Sequence, residues 1–246
     1  MHACSVPPFE QIALVGCFYF AARSVIRQNA ELAGQPWREG GAKVGVSIHY
    51  WAMPPSSSLF ERLRTNQAFV TLMSTVFAYG NGVFCFFDEL DPEEREDILG
   101  DLISTRQLGD EQQARRVIDE FRREVERTRR AYPGIERRRT SLEKTFLVVE
   151  ERTKEALRQV RDDADKFVDS IMNGSQSFTG SIDPNMWIGL VPADLVQKGA
   201  RMLAGVNAEA LLANDAAHVL RDFESWQDLY RDAGAHGDAI LVGACP

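Results

Sequence analysis

From Asn66 to Phe87 the chain carries no charged residue, a run of 22 that ends in Val83-Phe84-Cys85-Phe86-Phe87 and then meets Asp88-Glu89-Leu90-Asp91-Pro92-Glu93-Glu94. Burial of apolar surface is worth roughly 25 cal/mol per Å², so such a block must be covered by protein or by lipid. Three backbones fit it. The first is a helix over Leu59–Ala78, a break at Gly80-Asn81-Gly82 and a short apolar piece. The second is a β-hairpin joining Val70–Tyr79 to Val83–Phe87. The third is a single membrane span, for which the length reaches the lower limit. Asn81, two glycines and the lack of a flanking basic cluster weigh against the span. The expectation is a core segment, with reversible membrane insertion as the alternative.

The remainder of the chain reads as ordinary globular material: 246 residues, 44% hydrophobic and 26% charged. A net charge of -8 disfavours non-specific contact with nucleic acid, which needs a positive field, and no nucleic-acid partner is expected. Cys4, Cys17, Cys85 and Cys245 form no CxxC and no metal-ligand spacing. The first residues lack the basic start of a secretory signal. The expected location is cytoplasmic, with membrane association if residues 66–87 insert.

Along the chain, Pro7-Pro8 opens a helix over Phe9–Ala33. Val44, Val46, Ile48 and Tyr50 alternate as in a strand over Lys43–Met53, but no partner strand is evident. Asp91-Pro92-Glu93-Glu94 starts another helix. The clearest pattern follows. Ala114, Ile118, Phe121, Val125, Thr128 and Tyr132 step by four and three. After Pro133-Gly134 the stepping resumes through Leu142, Phe146, Val149, Thr153, Ala156, Val160, Ala164, Phe167 and Ile171, with one stutter between Val160 and Ala164. This predicts two long amphipathic helices, the second on the order of 57 Å, folded into an antiparallel αα-hairpin over about 110–172.

Asn173–Gly189 is rich in glycine, serine and asparagine and reads as a linker-like loop. Helices are expected over Pro192–Ala204 and Asn207–Ala233. The apolar tail Ala239-Ile240-Leu241-Val242 is expected to dock. The fold class predicted is mainly α: a helical bundle whose long hairpin packs around the apolar segment, with at most a minor β element. Residues 1–172 form its core and 190–246 complete the same domain.

Two groups of side chains could carry chemistry. Arg127, Arg129, Arg130, Arg137, Arg138 and Arg139 crowd around the hairpin bend and could form an anion site for phosphate, diphosphate or acidic lipid headgroups, whose oxygens suit arginine forks. Separately, Asn214, Asp215, His218 and Asp222 fall as Asn-Asp-x-x-His-x-x-x-Asp, and Asp88, Glu89 and Glu93 follow the apolar block. Together these resemble the two magnesium-binding motifs of class I terpenoid synthases. The resemblance implies Mg2+ held by Asp88, Glu89, Glu93, Asn214, His218 and Asp222, and a prenyl diphosphate substrate. His218 stands where that family has serine or threonine, and Asp222 where it has glutamate.

The expectation for function is a non-enzymatic helical interaction or assembly protein without a cofactor. It would meet a protein partner, or a second copy, through the amphipathic seams. Membrane engagement through 66–87 gives it an outline similar to α-helical pore-forming toxins. The magnesium-dependent synthase is the alternative.

Overall fold

The period-2 stretch is extended: Ser47–Met53 is strand β1 of a computed structural model that describes residues 47–79, 92–104, 110–178, 187–213 and 215–245, all within one unit, Gly45–Pro246. A buried strand must pair its backbone polar groups, and β1 finds partners on both sides. One is β2, Arg139–Glu143, and the other is β5, Ala239–Cys245. With β3, Gln176–Phe178, and β4, Trp187–Val191, they make a five-stranded sheet in the order β2-β1-β5-β4-β3, antiparallel throughout.

The expectation of a mainly α bundle with at most a minor β element is therefore corrected. The sheet is the central layer. One of its faces, with Trp51, Met53, Ile188, Leu190, Ala239 and Leu241, packs against helices α1 (Ser58–Thr65), α2 (Gln67–Tyr79), α3 (Pro92–Ser104) and α4 (Glu111–Ala131). The other face, with Ile48, Tyr50, Ala52, Leu142, Val191, Ile240, Val242 and Ala244, packs against α5 (Phe146–Leu157), α6 (Ala164–Asn173), α7 (Ala193–Leu203), the short α8 (Ala208–Leu211) and α9 (Ala217–His236).

The αα-hairpin is overturned by the same finding. Its first arm is real: α4 is capped by Asp110, whose carboxylate accepts the Gln113 N–H at 2.7 Å, and Ala114, Ile118, Phe121, Val125 and Thr128 are buried. Its second arm is a strand and two helices. Leu142 lies on β2, and α5 stops at Leu157. Val160 is 68% exposed, so the stutter marks the break between helices, where Arg158 forks onto Asp165 at 2.7 and 2.9 Å. The arms cover opposite faces of the sheet. Leu142, Phe146, Val149 and Ile171 keep a regular spacing because all face one core, although they belong to different elements.

The uncharged block is helical where it is described, which excludes the hairpin for Val70–Tyr79. The single helix expected over Leu59–Ala78 breaks at Asn66, whose N–H closes α1 on the Arg62 carbonyl and whose side chain accepts the Phe69 N–H at 3.1 Å. Asparagine is a strong helix cap, and here it ends one helix and starts the next. Phe69, Val70, Leu72 and Met73 are buried, with the Phe69 ring 5.3 Å from that of Phe121 on α4. Among the described residues no helix is long and apolar enough to cross a membrane. Residues 80–87, and the helix expected over Phe9–Ala33, lie outside the described residues.

Between Asn207 and Ala233 the chain forms α8 and α9 rather than one helix. The apolar tail is the middle strand of the sheet, seated between β1 and β4. Gln176–Phe178, inside the glycine- and serine-rich stretch, is the edge strand β3.

Candidate functional site

Among the described residues strand β2 sits at the end of the sheet, and its five residues are Arg-Thr-Ser-Leu-Glu. Alternation along a strand sends Arg139, Ser141 and Glu143 to one face and Thr140 and Leu142 to the other. Leu142, directly opposite Ile48, is fully buried beneath the C-terminal helices. Arg139 lies opposite Trp51 and Ser141 opposite His49, so these four share the first face.

The backbone of β2 has a direction as well. The Ala52 N–H donates to the Arg138 carbonyl at 2.9 Å. In an antiparallel ladder hydrogen-bonded and non-hydrogen-bonded pairs alternate, so Arg138, Thr140 and Leu142 bond to β1. Arg139, Ser141 and Glu143 turn their N–H and C=O groups the other way, toward the side of β2 where no strand lies among the described residues.

A cleft of about 600 Å³ follows this edge, lined by His49, Trp51, Arg139, Thr140, Ser141 and Glu143 from the sheet, with Asp222 and Ser225 from α9. Its lining comes from both faces of β2, so it wraps the strand's outer edge. Asp222 is held there by the Thr145 hydroxyl, which donates to it at 2.7 Å across the turn after β2. Lys144, at φ 59°, turns the chain out of the strand, which limits the edge to five residues. The start of β2 is pinned by Arg138, 2.7 Å from Asp232 and 2.5 Å from the buried Asp238.

His49 is 7% exposed and its ring stacks on Trp51 at 5.8 Å. Burial lowers its pKa from the ordinary 6.5; Glu143 opposes the shift and Arg139 adds to it. The Ser141 hydroxyl lies 3.5 Å from a Glu143 oxygen. The arrangement sets the outward backbone of Ser141 and Glu143 beside the Glu143 carboxylate and the Ser141 and Thr140 hydroxyls, in a cleft that Arg139 also lines.

The arginines expected to form an anion site are divided by the fold. Arg127 and Arg130 pair with Glu124 and Glu126 on their own helix, each at 2.8 Å. Arg138 is taken up by Asp232 and Asp238, and Arg139 lines the cleft. Arg129 is half-buried and Arg137 exposed. Of the residues assigned to magnesium, Glu93 is exposed on α3, whereas His218 and Asp222 are on α9, across the sheet from α3. Asp88, Glu89 and Asn214 lie outside the described residues. Among the described residues no three His, Cys, Asp or Glu side chains come together as a metal-binding group.

Sequence reading missed Thr140, Ser141 and Glu143, because the stretch around Leu142 joined a helical seam, and it missed Ser225, which belongs to no motif on its helix. The signal was present: a β-branched Thr140 and an apolar Leu142 two apart, just past a proline-glycine turn, in a chain whose best strand lacked a partner. The chain matches no protein-family model, no curated protein and no solved structure.

Proposed function

We propose that this chain is a non-enzymatic interaction and assembly protein that takes an extended segment of another polypeptide along β2 as an added strand. The observation that supports it is the outward-facing backbone of Ser141 and Glu143, lying in the cleft that follows the edge. In strand addition main-chain hydrogen bonds supply affinity, and pockets for alternate side chains supply specificity. His49, Trp51, Asp222 and Ser225 provide the pocket walls.

This reading keeps the assembly role expected from the sequence and moves it from the helices to the sheet edge. The apolar seam of α4 and the apolar faces of α5, α6 and α9 are occupied within the chain. Membrane engagement is not part of it, since Phe69, Leu72 and Met73 of α2 are seated in the core.

Photo-crosslinking from position 141 of the full chain in cells checks the proposal, with position 231 on the exposed side of α9 as background. The expected result is a polypeptide adduct strongly enriched at 141, with crosslinked residues mapping to one extended run of the partner. Glu143→Pro, which removes an outward N–H at an edge position where proline is tolerated, should abolish it. Equal yields at 141 and 231 would overturn the reading.

A further inference from the structure

We infer that the segment added to β2 carries two adjacent basic residues, Lys or Arg, one facing Asp222 and the other facing Glu143. The inference rests on the strand-addition reading and names the chemistry of the partner. Both carboxylates line the cleft at the strand edge, and neither is in an ion pair among the described residues. Asp222 is half-buried, and its partner is the neutral Thr145 hydroxyl. Glu143 is exposed, with the Ser141 hydroxyl at 3.5 Å. The imidazole of His49 does not supply a charge beside it near neutral pH, because burial lowers its pKa from 6.5. Two acids without a cation of their own, in a chain of net charge -8, complement a cationic occupant.

That the two cations are adjacent follows from the geometry of a strand. Helix α9 runs alongside β2 in the opposite direction: Asp232, near the end of α9, accepts from Arg138 just before β2, and Asp222, near its start, accepts from Thr145 just after β2, both at 2.7 Å. Asp222 therefore stands at the Glu143 end of the strand. It stands on the Leu142 side, because Leu142 shares its core with the apolar residues of α9, and Glu143 points to the other face. On an added strand, the residue opposite Glu143 shares the face of Glu143, and its neighbour opposite Leu142 turns toward α9. One cation thus meets Glu143 across the ladder, and the next reaches past Leu142 to Asp222. Two cations separated by one residue would lie on a single face and reach only one of the two acids. Arg139, at the far end of β2, takes no part in this contact.

Fluorescence anisotropy of labelled octapeptides titrated with the full chain tests this. The probe is Thr-Val-Thr-Lys-Lys-Val-Thr-Val, and its comparisons are the spaced Thr-Val-Lys-Thr-Lys-Val-Thr-Val and the acidic Thr-Val-Thr-Glu-Glu-Val-Thr-Val. The adjacent pair should bind about threefold tighter than the spaced pair and about tenfold or more tighter than the acidic peptide. Asp222→Asn and Glu143→Gln should each erase the advantage of the adjacent pair over the spaced one. Should a variant fail to fold, the peptide series on the unaltered chain still decides. Equal binding of adjacent and spaced pairs would overturn the inference, since attraction by net charge alone treats them alike, and so would the absence of binding by all three peptides. N-methylation of every second backbone nitrogen of the probe, tried in both alternating sets, separates this inference from the reading beneath it: one set should abolish binding. Binding undiminished by either set would overturn strand addition itself. A methylation-sensitive probe with no preference for adjacent lysines would overturn the basic pair alone.

Discussion

His49 shows how one position couples the sheet to pH. Its imidazole is buried beside Trp51, and burial holds its pKa below the ordinary 6.5. In the unfolded chain the ring takes a proton near that ordinary value; in the folded protein it resists until the pH is lower. The folded state then binds fewer protons, so the contribution of a neutral His49 is fully present above 6.5 and is lost as pH falls from there to the depressed folded value. A melting series from roughly pH 7 to pH 5 should show the wild-type Tm falling more steeply than that of His49→Gln. Parallel curves would mean that the ring titrates alike in both states. This behaviour was not legible in the sequence, where His49 was a histidine on a strand with no known neighbours.

At the scale of elements, the approach of α7 to α9 depends on what is missing from Gly199. A Cβ there would lie 2.8 and 2.9 Å from the Tyr230 ring. That ring is fully buried and its hydroxyl donates to the Ile171 carbonyl, so it has little room to move. Overpacking of this sort costs about 1–3 kcal/mol, and the helix propensity gained on replacing glycine offsets about 1 kcal/mol of it. Gly199→Ala should therefore lower the urea midpoint, with its slope unchanged. Gly100→Ala on α3, where nothing lies within 4 Å, should raise the midpoint, through about 0.5–1 kcal/mol of added stability. Shifts of the same sign would refute this account of the helix contact. The helices were the readable part of this chain, since their caps and apolar faces are local: Asp110 before α4, Pro92 at the start of α3, and the stepping of Val219, Phe223, Trp226 and Tyr230 in α9. Their breaks were less readable. Asn66 ends one helix and caps the next through its own side chain, and hydrophobic spacing does not register such a residue.

Across the whole molecule the decisive element is the last one. β5 lies between β1 and β4 and contributes side chains to both cores: Ala239 and Leu241 to one, Ile240, Val242 and Ala244 to the other. A chain ending at Asp238 would leave β1 and β4 without their shared partner and expose both apolar faces. It should lose cooperative unfolding and near-ultraviolet dichroism while keeping part of its helical signal, as a molten state does. A cooperative melt in that truncated chain would show that β5 is peripheral.

By itself the sequence determined that the uncharged block from Asn66 needs cover, that the strand pattern over Lys43–Met53 holds an extended segment, found at Ser47–Met53, and where several helices begin, α3 and α4 among them. These follow from short-range chemistry: the period of apolar residues, a cap, a proline. Only the tertiary structure decided that a five-residue segment past Pro133-Gly134 and an apolar tail more than 90 residues later would flank the same strand, turning an expected bundle into a sheet between two helical layers. Strand pairing joins residues remote in sequence through backbone groups that every residue carries, so Arg139–Glu143 and Ala239–Cys245 leave little trace of their partner in their own side chains.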